Sequence, residues 1–209
     1  MNNGILHNFK LPRNTALIVG HIPTITKNVS EKMLSQYQVG HSFERALQLA
    51  TADALVRNHF DAPTEIHRNE DGKPRFPQRS EHLSISHTGE YMAVIIGDNP
   101  VAVDIEITGR TIERIYHRFT RDLEFAKIDA ELSSDSLLTL WGIKECLFKI
   151  IPHQGILFRE HLLLHSCDKK NGVLKAACSV SHPKLHKEFV VNSFIFEPLV
   201  ISYIIEDEV

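Results

Sequence analysis

Residues 83–107 read Leu-Ser-Ile-Ser-His-Thr-Gly-Glu-Tyr-Met-Ala-Val-Ile-Ile-Gly-Asp-Asn-Pro-Val-Ala-Val-Asp-Ile-Glu-Ile. Strand signals at 83–88, 91–97 and 101–107 are separated only by turn chemistry at Thr88-Gly89-Glu90 and at Gly97-Asp98-Asn99-Pro100. Such tight connections demand antiparallel neighbours, so this stretch predicts a hairpin-linked sheet. Upstream, 61–81 is polar and carries Pro63, Pro74 and Pro77, which predicts a surface loop with short extended pieces. Before it, Phe43, Ala46, Leu47, Ala50, Ala54 and Leu55 recur at helical spacing behind Ser42 as N-cap, predicting a helix to Phe60.

Downstream of Thr108-Gly109 the period becomes helical. Residues 111–130 predict one or two helices broken near Thr120. Ser133, Ser134 and Asp135 open a strongly apolar helix to Ile151, ended by Pro152 and Gly155. Strand-like segments follow at 157–165, 173–181, 189–196 and 199–205. Helix then strands, repeated once, predicts an α+β fold of two similar halves, 1–107 and 108–209, each a small antiparallel sheet packed with a long helix.

Composition fits that reading. The 209 residues carry 23 Lys+Arg against 26 Asp+Glu, with 43% hydrophobic and 23% charged residues, values that exclude global disorder. A net charge of -3 excludes a nonspecific nucleic-acid binder. Cys146, Cys167 and Cys178 form no C-x-x-C pair and are odd in number, so no disulfide framework is expected. Residues 1–14 lack a basic segment followed by a long apolar one, and apolar runs such as 16–19 and 92–96 fall far short of the ~20 residues of a membrane helix. The expectation is a reduced cytoplasmic protein that engages neither membrane nor nucleic acid.

Asp104 and Glu106 stand at i and i+2 on a strand, so their carboxylates share a face while Val103, Ile105 and Ile107 are expected to face the core. Two adjacent carboxylates repel unless a proton or cation lies between them, and a hard cation such as Mg2+ takes oxygen ligands. A solvated outer strand face is the bland alternative. Glu145 and Lys149, at i and i+4, share one face of an otherwise apolar helix with Lys144 beside them; a Glu–Lys pair worth a few tenths of a kcal/mol is the alternative there. Ser84, Ser86 and Thr88 share a strand face, with His87 on the other or turned outward at the strand end. Asp71-Gly72-Lys73-Pro74-Arg75 is a basic turn whose Gly lets backbone approach a phosphate.

In chain order, Gly72-Lys73-Pro74, Ser86-His87-Thr88, Val103-Asp104-Ile105-Glu106 and Trp141-x-x-Lys144-Glu145-x-x-x-Lys149 resemble the surfactin-type (Sfp-type) 4'-phosphopantetheinyl transferases. The segment 52–57, Ala-Asp-Ala-Leu-Val-Arg, resembles an early helix of that family, so the likeness covers most of 42–155. The resemblance implies two pseudo-symmetric halves with coenzyme A in the cleft between them. It also implies transfer of the phosphopantetheine arm to a serine of an acyl or peptidyl carrier protein, with release of adenosine 3',5'-bisphosphate by a single chain. By motif position Asp104, Glu106 and Glu145 are implied ligands of Mg2+ (or Mn2+), with Glu145 also helping to deprotonate the serine. Lys149 and Lys144 are implied phosphate contacts, and Lys73, Ser86 and His87 coenzyme A contacts. Asp104, Glu145 and Lys149 form the implied catalytic set. Ala102 stands where the family often has Gly. The basic residues expected for the 3'-phosphate match no motif, with Lys32, His41 and Arg45 as candidates.

Other readings stay open. A coenzyme A- or carrier-binding module without activity would have less need of all three carboxylates and Lys149. An Mg2+-dependent phosphohydrolase would use Asp104 and Glu106 but leaves Lys144-Glu145 and Ser86-His87 unexplained. The 13 His include the i, i+4 pairs His161/His165 and His182/His186, but H-E-x-x-H and a Cys ligand cluster are absent, so a zinc hydrolase is not indicated. Arg110, Arg114 and Arg118 would line one face of a helix over 111–119, either docking an acidic partner or simply solvated.

Overall fold

The computed structural model describes residues 4–27, 35, 37, 40, 42–128, 133–151 and 155–206, in two compact units, Met1–Asn99 and Pro100–Val209. The first unit opens with β1 (Ile5–Leu11) and β2 (Thr15–His21), then α1 (Ile22–Thr26) and α2 (Phe43–Phe60). A two-stranded ribbon, β3 (His67–Arg68) and β4 (Pro74–Arg75), precedes β5 (His82–Thr88) and β6 (Tyr91–Gly97). Its main sheet runs β1-β2-β6-β5, antiparallel throughout. The helix predicted over 42–60 forms as α2, and the Ser42 hydroxyl accepts the Arg45 amide at 3.2 Å. Its Leu55 and Val56 pack with Ile18, Met92, Val94 and Ile96 of the sheet. Strands β1 and β2 lie outside the elements read from the sequence. β2 is an almost wholly buried central strand, so it shows a continuous apolar run instead of an alternation.

The second unit comprises β7 (Val101–Ile107), 3₁₀ turns at Tyr116–Arg118 and Asp122–Lys127, α3 (Ser134–Ile150), the single-turn α4 (Phe158–His161), β8 (Leu162–Lys170), β9 (Val173–His182), β10 (Leu185–Phe196) and β11 (Leu199–Ile205). Its antiparallel sheet runs β7-β11-β10-β9-β8, and α3 lies across β7 and β11. The sequence reading ended the first half at Ile107. Antiparallel pairing of β7 with β11, Asp104 opposite Ser202 and Glu106 opposite Val200, carries that strand into the second unit.

Two expectations are corrected by the structure. Within 111–128 the chain makes 3₁₀ turns rather than an α-helix: Ile112 and Phe119 are buried against the α3 core, and the Glu124 carboxylate takes the Arg121 amide at 2.7 Å, starting a new short turn. The strand placed at 157–165 begins only at Leu162, because Leu157 donates its amide to His161 Nδ1 and residues 158–161 coil into α4. Ser133 caps α3 as expected, and Ser136 returns a hydroxyl to the Ser133 amide. No helix among the described residues is long and apolar enough to cross a membrane.

Candidate active site

Strand alternation places Asp104 and Glu106 on the face of β7 that turns toward α3. A Cβ added at Gly142 of α3 would lie 3.6 Å from Asp104 Oδ2 and 2.7 Å from Ser202 Oγ. Asp104 is 6% and Glu106 8% exposed, so a freely solvated strand face is not what forms. Each carboxylate has a cation of the chain against it: Lys149 Nζ donates to Asp104 Oδ1 at 2.7 Å and to the Val103 carbonyl at 3.0 Å, and Arg110 Nη1 donates to Glu106 Oε2 at 2.7 Å.

Glu145 stands in the field of both. Its pKa is pushed up to about 7, first by burial and then by the charge of Asp104; Lys149 offsets part of this, and Glu106 adds to it. Burial depresses Lys149, but Asp104 and the hydrogen bond to it lift the ammonium above its ordinary value. The packing of α3 on β7 thus brings Asp104, Glu106, Glu145 and Lys149 into one electrostatic neighbourhood.

Lys144 is not part of it. It is 0% exposed, and its Nζ donates to Glu124 Oε2 at 2.7 Å in the interior of the second unit. Successive helical residues point about 100° apart, so Lys144 and Glu145 leave α3 in different directions. The phosphate contact expected of Lys144 is therefore replaced by a structural ion pair. Glu124 was missed by sequence reading, since a single Glu in a polar stretch carries no signal of its distant partner.

In the first unit, β5 puts Ser84, Ser86 and Thr88 on a buried face and His87, exposed, on the other. Ser86 and His87 therefore cannot project into the same space. His87 lines a cavity of about 270 Å³ with Tyr37, Arg45, Gln48, Asp53 and Arg68. Arg68 is pulled below its ordinary value by burial and then by the nearby Arg45, the signature of two guanidinium groups sharing a pocket. Lys73 follows Gly72, whose φ of 78° turns the β3–β4 ribbon, and its amide donates to Asn69 Oδ1 at 2.8 Å. Burial pulls the Lys73 ammonium down, with Asp71 opposing. Of the residues weighed for a 3'-phosphate, Arg45 lines this cavity, whereas Lys32 and His41 lie outside the described residues. Arg68 was overlooked because it stands alone in a polar hairpin.

No family model matches the chain. It is 26% identical over 137 residues to the 4'-phosphopantetheinyl transferase gsp of Aneurinibacillus migulanus, covering 61% of this chain and 57% of that protein. It is 27% identical over 117 residues to the 4'-phosphopantetheinyl transferase Sfp of Bacillus subtilis (strain 168), covering 51% of this chain and 52% of that protein. The chain is similar to the surfactin-type 4'-phosphopantetheinyl transferases. It spans about half the length of the curated relatives it matches.

A divalent cation is implied by the resemblance. Among the described residues no group of three or more His, Cys, Asp or Glu stands close enough to hold one. The donor chemistry nevertheless fits a hard cation: all three candidate ligands are carboxylates, and the repulsion that helps raise Glu145 is what a dication would relieve. The remaining candidates resolve otherwise. His161 and His182 meet edge to face at 4.8 Å, with each Nδ1 accepting a backbone amide, Leu157 at 2.9 Å and Lys184 at 3.2 Å. Those two bonds occupy the Nδ1 lone pair of each ring. Arg110 is taken up by Glu106, and Arg114 and Arg118 sit on a segment that forms no α-helix, so the expected Arg stripe is absent.

Proposed function

We propose that this chain is a 4'-phosphopantetheinyl transferase that moves the phosphopantetheine arm of coenzyme A to a serine of an acyl or peptidyl carrier protein. The observation that carries the reading is the gathering of the buried carboxylates Asp104 and Glu106 with Glu145 and with Lys149, whose Nζ lies 2.7 Å from Asp104 Oδ1. The serine oxygen forms a bond to the β-phosphorus, the bond to the bridging oxygen breaks, and adenosine 3',5'-bisphosphate leaves. Catalysis of such a displacement is mostly positioning and charge stabilisation, so the chain needs no nucleophile of its own.

Asp104, Glu106 and Glu145 would hold Mg2+, or Mn2+ in its place, which when bound supplies positive charge to the pyrophosphate oxygens. Lys149, already held by Asp104, is aligned to meet a phosphate oxygen as charge builds on it. Glu145 would accept the serine proton directly or through one water, a role open to a carboxylate placed beside Asp104 and Lys149. Coenzyme A contacts in the first unit fall to His87, Arg45 and Arg68, which line one cavity and whose guanidinium groups suit a phosphate monoester, to Lys73, and, from the opposite face of β5 and so to a different part of the ligand, to Ser86. All three cysteines are free, in keeping with a reducing cytoplasm, where we place the protein as a monomer.

The test is to mix the protein with coenzyme A, Mg2+ and several apo carrier proteins and weigh the carriers. A phosphopantetheine mass gain that disappears in Asp104→Asn is expected. No gain with any carrier defeats the reading. Coenzyme A binding without transfer identifies a binding module, and phosphate release without carrier identifies a phosphohydrolase.

A further inference from the structure

The interior of the second unit holds an ion pair for which the proposed chemistry has no use. Glu124, in the 3₁₀ turn Asp122–Lys127, is 6% exposed, and four donors converge on its carboxylate. Thr120 Oγ1 donates to Oε2 at 3.2 Å, the Arg121 amide at 2.7 Å and Lys144 Nζ at 2.7 Å, while the Leu164 amide of β8 donates to Oε1 at 2.9 Å. Lys144 Nζ also donates to the Phe158 carbonyl of α4 at 3.4 Å. Burial by itself would raise Glu124, but the hydrogen bonds from Lys144, Leu164 and Arg121 hold it below its ordinary value; burial pulls Lys144 down.

Stability is a poor reason for such a pair. Well-packed apolar residues in its place are often as stable or more so, whereas an ion pair with directional bonds admits one geometry. The neighbours of Lys144 along α3, including Leu137, Leu140, Ile143 and Leu147, are fully buried hydrophobic residues whose packing is non-directional. Apolar contact sets no hydrogen-bonded direction for the helix. A roll of about 10° moves a group about 6 Å from the axis by about 1 Å, and a misplacement of that size can cost about 100-fold in rate.

We propose that the Lys144–Glu124 pair is a positioning device that sets the rotation of α3 about its axis and so aims Glu145 and Lys149 at Asp104. Glu124 is a fixed point because a 3₁₀ turn and β8 both hold its carboxylate. Lys144 ties α3 to that point, and Glu145 is the next residue along the helix. Lys149 leaves α3 about 140° round from Lys144, so two ion pairs grip the helix from different sides. The inference rests on the transferase reading for its activity readout alone.

The test replaces both partners at once, Glu124→Leu with Lys144→Met, since either change alone strands a buried charge. The expected result is a melting temperature at or above that of the wild type, coenzyme A affinity within twofold, and kcat for carrier modification at least tenfold lower. An unchanged kcat in this folded variant overturns the inference, because a purely structural pair would leave catalysis intact. A second readout needs no activity: a double-mutant cycle between this replacement and Lys149→Met, read as unfolding equilibrium constants. If the Lys144 side sets the Lys149–Asp104 contact, the effects depart from additivity by more than about threefold; additivity within twofold overturns the inference. If the apolar replacement does not fold, Glu124→Gln with Lys144→Gln goes through the same two measurements with the same criteria. Should the wild type modify no carrier, the proposed function fails and the cycle alone decides this inference.

Discussion

Gly142→Ala tests how closely α3 must approach the sheet. The new Cβ would stand 2.7 Å from Ser202 Oγ, 3.2 Å from Ser202 Cβ and 3.6 Å from Asp104 Oδ2. Ser202 is 1% exposed and its hydroxyl is bonded to Ser193 Oγ at 2.8 Å, so it cannot turn aside without losing that bond. Helix propensity alone favours Ala over Gly by about 1 kcal/mol. Against this stand overpacking, about 1–3 kcal/mol, and the strained or lost Ser–Ser bond, about 1 kcal/mol. The balance is a destabilisation of about 1–3 kcal/mol, or roughly 3–10 °C in Tm for a chain of this size. Urea unfolding followed by circular dichroism would measure it, alongside carrier modification, which should fall further because the helix that moves carries Glu145 and Lys149. Adding Ser202→Gly, which removes both close contacts, should restore most of the stability lost on inserting the methyl; Ser202→Ala should restore less, since the 3.2 Å contact to Cβ persists. A Gly142→Ala protein stabilised by about 1 kcal/mol, as propensity alone dictates, would refute the close-approach argument.

Other outcomes follow from the same geometry. The folded-state pKa of Glu145 lies above its unfolded value, at about 7 against 4.5, so the native state binds the extra proton between those values. In metal-free solution stability should therefore fall as pH rises from about 4.5 to 7, by at most roughly 3 kcal/mol; Glu145→Gln should flatten that fall and added Mg2+ should reduce it, and a Glu145→Gln slope equal to that of the wild type would count against the shift. Lys149 follows the same sign at higher pH: its raised pKa contributes stability that is complete below the ordinary lysine value and is lost as pH climbs through the folded one, a loss absent in Lys149→Met. Arg68→Ala should weaken coenzyme A binding about tenfold by calorimetry, equivalent to about 1.4 kcal/mol; affinity within twofold of wild type would remove the Arg45–Arg68 cavity from the coenzyme A site. Asp104→Asn should abolish carrier modification while the far-ultraviolet spectrum stays native, and retained transfer would remove Asp104 from the catalytic set.

Local signals carried much of the fold. Ser42 and Ser133 cap their helices, and the turn at Gly89 forms the expected hairpin, whereas the turn at 97–100, read as a second hairpin, leads into β7 of another sheet, where β11 and not β6 is its partner. What escaped was non-local. β2, with residues of both faces buried, has no alternation to read. The 3₁₀ turns of 116–127 arise where Glu124 draws together the Thr120 hydroxyl, the Arg121 amide and, from far along the chain, Leu164 and Lys144.

The candidate site divides in the same way. Periods of 2 on a strand and 3.6 on a helix are properties of the backbone, so the sequence by itself determined that Asp104 and Glu106 share one face and Glu145 and Lys149 another. The same arithmetic could not say what each face meets. Only the tertiary structure decided that Lys149 lies on Asp104, that Arg110 answers Glu106, and that Lys144 turns inward to Glu124. Periodicity sets directions around a strand or helix; which groups then meet, and how far the medium between them is stripped of water, depends on packing between distant segments. That packing turns Glu145 from an ordinary carboxylate into one that titrates near neutrality.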